Sequence, residues 1–193
     1  MLLINDREFY QHYEIIGGEK FMAPATPLNH SVILMRLGMA IGNYVVKNRC
    51  GFVFPDDTDV HLPDGNLFKP DLVVITSENF GIMSKQNAIY GVPDMVVEVF
   101  SRSTRNRDLN VKKNSYEACG VKEFWTIDPW AKVVDVYILR DGKFIFSDEY
   151  QKLEDYEWDS LTEEEKAEIK TEIKLSIFED CVVHVDDIFG WCF

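Results

Sequence analysis

A carboxylate stands in the middle of an apolar run of this 193-residue chain. Glu98 lies within Met95–Phe100, whose other residues are methionine, valine and phenylalanine, a composition and length typical of a buried β-strand. Burying an unpaired carboxylate costs several kcal/mol. We therefore expect Glu98 to be neutralised, paired with a cation or bound to a metal ion.

A second carboxylate begins another strand-like run. Asp71 directly precedes Leu72–Ile75, and two carboxylates on neighbouring buried strands can bind Mg²⁺ or Mn²⁺. The Val99 carbonyl is a plausible third oxygen ligand, and a bound ion would act as a Lewis acid in hydrolysis. Asp94 falls on the same face of its strand as Glu98, because side chains alternate, which makes it a second-tier member of this predicted site.

A lysine would complete a hydrolytic site by polarising water or by neutralising charge on a phosphate oxygen. Residues 107–119 follow the Glu98 strand and have helical spacing. At about 100° per residue, Lys112 shares a stripe with Leu109 and Tyr116, whereas Lys113 falls on the wet face. We predict that Lys112 is the catalytic lysine, since it faces the carboxylates.

Each of these residues also has a structural explanation. Asp71 follows Pro70 at a strand entrance, where aspartate is an ordinary turn residue. A salt bridge between Glu98 and Lys112 would hold the helix to the sheet without any chemistry. Asp108, one turn before Lys112, is an alternative partner for that lysine and is counted as a second-tier site residue.

The charge distribution bears on whether the partner is a nucleic acid. A net charge of -13 argues against phosphate binding, but residues 153–172 alone hold nine acids and two bases, a local charge of -7. The rest of the chain therefore carries only -6. Four basic residues after Glu98 are predicted DNA contacts: Arg102, Arg105, Arg107 and Lys113. A solvated loop would explain the same charges.

The elements that position these residues can be predicted from glycine, proline and hydrophobic periodicity. Gly17-Gly18 predicts an N-terminal hairpin within residues 13–22. A largely apolar helix is expected over 28–48. The turn Pro63-Asp64-Gly65-Asn66 predicts a second hairpin, with arms at 52–62 and 67–75, whose second arm delivers Asp71.

The remaining elements complete a mixed sheet with helices. Residues 76–93 are predicted as a loop or short helix, and Gly120 as the cap that ends the helix after Glu98. Three further strands are expected at 124–127, 133–139 and 143–146, and a last strand at 173–178 before a terminal segment at 182–189. These patterns indicate one α/β (α+β) domain over 1–193.

The acidic segment 153–172 is predicted to be a peripheral insertion in this domain. Ser160-Leu161-Thr162-Glu163 matches a capping box, which predicts a short exposed helix that runs to about Thr171. Such a surface is a candidate contact for a partner protein.

Composition limits where the protein works. No stretch approaches ~18 uninterrupted apolar residues, and the first fifteen residues include Asp6, Arg7, Glu8 and Glu14, so we expect neither a membrane span nor a secretion signal. Four scattered cysteines form no Cys-x-x-Cys pair, which fits a reduced, cytoplasmic setting.

Several segments, taken in order, resemble the Uma-two family of restriction-endonuclease-like proteins. They are Lys69–Val74, Pro93–Ser101, Ser103-Thr104, Arg107–Leu109 with Lys112 and Tyr116, and Gly120–Pro129. The resemblance extends from the Tyr13 hairpin to Ile188-Phe189, apart from the acidic insertion. It implies the PD-(D/E)XK nuclease fold, a mixed β-sheet flanked by helices, with Asp71 and Glu98 as the metal-binding acids.

One residue departs from the superfamily pattern. Phe100 stands two residues after Glu98, where the superfamily motif has its lysine, so the resemblance moves the lysine role to Lys112. His30 lies in the predicted first turn of the long helix, whose start also matches the family, and is a second-tier candidate. Packing at the helix terminus would explain His30 equally.

Three functions remain open at this point. The first is a Mg²⁺-dependent endonuclease that hydrolyses DNA. Such an enzyme could act as a homodimer, because many nucleases cut the two DNA strands with two subunits. The second is a binding or regulatory module that keeps the nuclease fold without turnover, favoured by the acidic charge and the displaced lysine. The third is a metal-dependent hydrolase that acts on something other than nucleic acid, and no residue of the sequence specifically indicates it.

Overall fold

The computed structural model describes residues 13–22, 27–83, 88–100 and 108–190, except for the side chains of residues 108 and 109. The strands are β1 Tyr13–Ile16, β2 Glu19–Met22, β3 Gly51–Pro55, β4 Asp59–His61, β5 Leu67–Phe68, β6 Leu72–Thr76, β7 Ala88–Tyr90, β8 Met95–Val99, β9 Glu123–Asp128, β10 Val133–Arg140, β11 Lys143–Gln151, β12 Glu172–Lys174 and β13 Val182–His184. The α-helices are α1 Leu28–Asn48, α2 Lys113–Cys119, α3 Asp155–Ser160, α4 Glu163–Glu168 and α5 Val185–Phe189. A 3₁₀ turn covers Ser77–Ile82 and a π-helical turn covers Asp108–Lys112.

A six-stranded mixed sheet forms the centre of the fold. Its strand order is β11-β10-β9-β8-β6-β3, in which β8 and β9 are parallel and all other neighbours are antiparallel. All five residues of β6 and of β8 are buried. Helix α1 packs on one face of the sheet, and Tyr116 of α2 packs on the other against Phe124. The predicted mixed sheet flanked by helices is confirmed.

The hairpin predicted over 52–75 is divided between two sheets. β3 pairs with β6 in the central sheet, whereas β4 pairs with β5 in a second sheet of order β2-β1-β5-β4-β7. The first arm breaks near Asp57, which has a left-handed φ of 74°. The second arm breaks near Pro70, which has no N–H to donate to a ladder. Asp71 lies where this arm enters the central sheet.

Other segments also differ from their sequence predictions, including the last strand, which was expected at 173–178 and is found as β12 Glu172–Lys174. The region 76–93 contains a short helix as expected, but also β7, which pairs in parallel with β4. The helix predicted after Glu98 begins with a π-helical turn before α2. It ends as predicted, at Gly120 in the left-handed conformation, whose N–H donates to carbonyls of the preceding turn.

The acidic segment folds as two short helices, α3 and α4. The capping box of α4 begins at Thr162 rather than at the predicted Ser160. Ser160 instead ends α3, and its hydroxyl donates to the Glu157 carbonyl at 2.6 Å. Thr162 and Glu165 bond reciprocally at the start of α4. Ion pairs connect this segment to the central sheet and its β9–β10 turn: Lys170 with Asp148, and Lys132 with Glu154.

Two further observations concern the described part of the chain. None of its helices has both the length and the apolar character needed to cross a bilayer. Cys50, Cys119 and Cys181 carry free thiols.

Candidate active site

Glu98 is buried and paired. Only 2% of the residue is exposed, and the Lys112 ammonium donates to both of its carboxylate oxygens at 3.0 Å. The Tyr116 hydroxyl donates to Oε1 at 2.8 Å. Of the three outcomes expected for this carboxylate, the structure shows pairing with a cation.

Glu14 of β1 is a third carboxylate at this point, and the sequence analysis missed it. Its Oε1 lies 2.8 Å from Lys112 Nζ and also accepts the Lys69 backbone N–H at 3.0 Å. The residue is buried in Tyr13–Ile16, a short strand that is otherwise aromatic and aliphatic. This is the same signal that singled out Glu98, a glutamate in an apolar strand, and it could have identified Glu14.

Helix packing explains why Lys112 rather than Lys113 points inward. Tyr116, one turn after Lys112, is fully buried and contacts the rings of Phe68 and Phe124. Lys112 is 3% exposed and lies on the same side of the helix, as the stripe predicted. Lys113 instead places its ammonium 3.4 Å from the centre of the Tyr137 ring, where burial lowers the pKa of Lys113.

Asp71 lies opposite Glu98 on the neighbouring strand. Leu72 pairs with Val97 in the antiparallel β6–β8 ladder, and the same register continued by one residue brings Asp71 across from Glu98. Asp71 Oδ2 accepts the Val99 N–H at 2.6 Å. The short bond fixes the carboxylate at the end of β8.

His30 is the second basic group of the site. Its Nε2 lies 3.1 Å from Asp71 Oδ2, in the first turn of α1, and the residue is buried. Burial alone would lower the pKa of His30, but the hydrogen bond and charge of Asp71, the charge of Asp56 and a backbone hydrogen bond to Val99 raise it above its ordinary value. These interactions therefore outweigh the effect of burial on the pKa of His30.

Asp94 is placed away from this cluster. It lies at the other end of β8, four residues or about 13 Å from Glu98 along the strand. Its Oδ2 accepts the backbone N–H of Thr76 at 2.8 Å, and Lys122 Nζ lies 2.7 Å from Oδ1. Burial would raise the pKa of Asp94, but Lys122 and the hydrogen bonds outweigh it and lower that pKa. These contacts fasten β8 to the end of β6.

The remaining predicted site residues cannot be placed against the cluster. Arg102, Arg105 and Arg107 lie outside the described residues, as does the side chain of Asp108. Their roles stay predictions.

The donors at this site suit a hard divalent cation with few protein ligands. Within the described ranges, no group of three histidine, cysteine, aspartate or glutamate side chains is arranged to hold a metal. Asp71, Glu98 and the Val99 carbonyl supply oxygens only, and Mg²⁺ commonly uses one or two carboxylates with water and substrate phosphate. His30 already contacts Asp71, and Lys112 contacts Glu98, so each of the two carboxylates has a basic partner in the protein.

Comparisons with known proteins agree with this fold. A crystal structure described as that of a "putative nuclease belonging to DUF820" from Anabaena variabilis has a TM-score of 0.69 over 93% of this chain and 90% of that one, at 18% identity. Among curated proteins, none matches significantly. The model of the Uma2 family, described as "putative restriction endonuclease", matches residues 6–172, a range that includes the acidic segment. The chain therefore belongs to the Uma2 family and has the fold of a nuclease.

Proposed function

We propose that the protein is a Mg²⁺-dependent endonuclease that hydrolyses phosphodiester bonds in DNA, with Mn²⁺ as an alternative ion. The description of its family and the nuclease fold of its structural neighbour support a hydrolase of this class. The observation that carries the proposal is the opposition of Asp71 and Glu98 on paired strands, with Lys112 bound to Glu98.

Asp71, Glu98 and the Val99 carbonyl would hold the metal ion. When bound, it would supply Lewis acidity and a water of lowered pKa. The protein contributes the position of these oxygens. The Val99 N–H fixes Asp71, and the Tyr116 hydroxyl fixes Glu98.

Lys112 is suited to act on the phosphate or on the attacking water. Its ammonium is held between two carboxylates, Glu98 and Glu14, which offset the cost of burying it. Glu14 keeps one counter-ion on Lys112 whenever Glu98 binds another cation. Lys112 can then donate a proton or a hydrogen bond to a non-bridging phosphate oxygen, where negative charge develops.

DNA binding by a protein of net charge -13 requires a local cluster of basic residues. Arg102, Arg105 and Arg107 follow β8 directly in sequence and are the proposed phosphate contacts, with Lys113 on α2. Because each of these contacts would neutralise a phosphate and release counterions, we expect binding to weaken as salt is added.

Cleavage of supercoiled, linear and single-stranded DNA with Mg²⁺, Mn²⁺ or EDTA tests the proposal. We expect metal-dependent cleavage that Glu98→Gln and Asp71→Asn abolish. Glu123→Gln is the matched control, since Glu123 is equally buried but bonds to Trp125 and Ser176 away from the site. Absence of cleavage in all DNA forms, or cleavage unchanged in Glu98→Gln, would overturn the proposal.

The second candidate function is a nuclease-fold binding module without turnover. One observation favours it: both oxygens of Glu98 are bonded to Lys112, an arrangement that pairs the buried carboxylate without a metal ion. This candidate predicts DNA or protein binding without cleavage, and loss of stability rather than of activity in Asp71→Ala and Glu98→Ala. A pull-down with and without residues 153–172 tests whether the acidic segment binds a partner protein.

A further inference from the structure

Helix α1 has a second apolar face that points away from the central sheet. Its inner face packs in the core through Ile33, Leu37, Ile41 and Val45. On the opposite side, Leu28 is 81% exposed, Met35 66% and Val46 77%. A helix in water normally presents polar residues on the side opposite its core. This outer face lacks them along most of its length.

The outer face has the spacing of a helix-packing seam. Its members follow one another in alternating steps of four and three residues: Leu28, Val32, Met35, Met39, Gly42 and Val46. Apolar residues at this spacing are the a and d positions of a heptad repeat, which pack against another helix. The pattern runs over almost the whole of α1.

A groove runs beside this seam. It has a volume of about 900 Å³ and lies between α1 and the edge strand β3, with Phe52 and Phe80 exposed on its far wall. β3 contains no charged residue, whereas the opposite edge strand, β11, carries Lys143, Asp148 and Glu149. Charges and prolines are the usual protection of a sheet edge, so β3, which has only Pro55 at its end, is the less protected of these two edges.

Gly42 is not required by the fold. A Cβ added there would meet nothing within 4 Å, and one added at Gly38 would make only an ordinary contact with Leu72 at 3.6 Å. Glycine within a helix is less stable than alanine. Two glycines spaced i, i+4 on the groove floor are explained if another chain packs closely there.

We infer that a second copy of this chain packs on this face, with α1 against α1 around a two-fold axis. A two-fold contact needs a self-complementary surface, and here the flexible Met35 and Met39 can fill the partner's glycine-floored groove. Arg49 and Asp56 both line the groove, and they flank β3 in the sequence, one before it and one after it. An antiparallel arrangement of the two helices brings these opposite charges together.

Six exposed apolar residues belong to the seam and groove, and each is between 40% and 81% exposed: Leu28, Met35, Met39, Val46, Phe52 and Phe80. Burial of this surface in two copies would be of the order of a standard protein interface, roughly 1,600 Å² in total.

Sedimentation velocity of the purified chain from about 1 to 100 µM tests this dimer. We expect a dimer that the double change Met35→Lys and Met39→Lys converts to a monomer. Met22→Lys is the matched control, because Met22 is an exposed methionine on β2, outside this face, and the dimer should persist. Circular dichroism checks that each variant is folded.

Gly42→Ala separates association from folding. It should raise the melting temperature of the dissociated monomer by a few degrees, since alanine favours helix, and weaken self-association about tenfold by crowding the contact. A monomer throughout the concentration range, or a dimer unaffected by both the lysine variant and Gly42→Ala, would overturn the inference.

Discussion

The Lys112 ammonium lies 3.0 Å from each carboxylate oxygen of Glu98, and both side chains are almost completely buried. Glu14 gives the ammonium a second counter-ion at 2.8 Å. This buried cluster joins three elements, β8, β1 and the π-helical turn before α2. It is also the place of the proposed phosphodiester chemistry.

Lys112→Met should destabilise the protein strongly. It leaves Glu98 and Glu14 buried without their cation, and breaking a buried pair in this way costs about 3–5 kcal/mol. Urea unfolding at pH 7 measures the change. The double variant Lys112→Met with Glu98→Gln should lose less than the sum of the two single changes, because it leaves fewer buried charges unpaired. Additive losses would show that the two residues are not coupled.

Glu14→Gln should impair catalysis although Glu14 is not a proposed metal ligand. Without the charge of Glu14, Lys112 keeps only Glu98 as a charged partner, so its ammonium is held less firmly in place. We expect about a 10–100-fold fall in kcat, as for other groups that orient site residues, with KM for DNA nearly unchanged. Unchanged kcat, or a KM effect alone, would remove Glu14 from the site.

Stability should depend on pH through His30. The pKa of His30 is raised by Asp71 in the folded protein, so its contribution is fully present below the unfolded pKa of about 6.5 and is lost as pH rises through the folded value. Wild type should therefore exceed His30→Gln in unfolding free energy by more at pH 6 than at pH 8. An NMR titration of His30 reports the pKa directly, and a value below 6.5 would contradict this account.

Asp94 should show the opposite pH dependence. Its pKa is lowered in the folded protein, so its contribution is present above the unfolded value of about 3.9 and is lost as pH falls through the folded value. Asp94→Asn should destabilise the protein by about 1–3 kcal/mol at pH 7 and by less in acid. Metal affinity should be unchanged, which calorimetry can verify; a weakened affinity would return Asp94 to the site.

The strongest sequence predictions were those carried by local patterns. The Gly17-Gly18 hairpin, the strands around Glu98 and the Gly120 cap follow from turn chemistry and hydrophobic runs. The inward direction of Lys112 follows from helical periodicity, because its stripe includes the buried Tyr116.

The features that the sequence analysis missed depend on contacts between residues that are far apart in the chain. Glu14 reaches Lys112 only because the second sheet brings β1 to the helix, a contact across about a hundred residues that no local pattern encodes. Asp94 and Glu98 share a strand face by periodicity, but the neighbours at each end of β8 differ, so one is fastened by Lys122 and the other by Lys112. The broken hairpin arms likewise depend on which sheet each half joins.

The central claim is that Asp71 and Glu98 bind the metal ion, and a crystal soaked in Mn²⁺ tests it most directly. The anomalous signal locates the ion. We predict one Mn²⁺ between the Asp71 and Glu98 carboxylates and the Val99 carbonyl, with Lys112 retained by Glu14 beside it, and no ion at this position in Glu98→Gln. An ion-free site in saturating Mn²⁺, with Lys112 still bonded to both Glu98 oxygens, would contradict the claim.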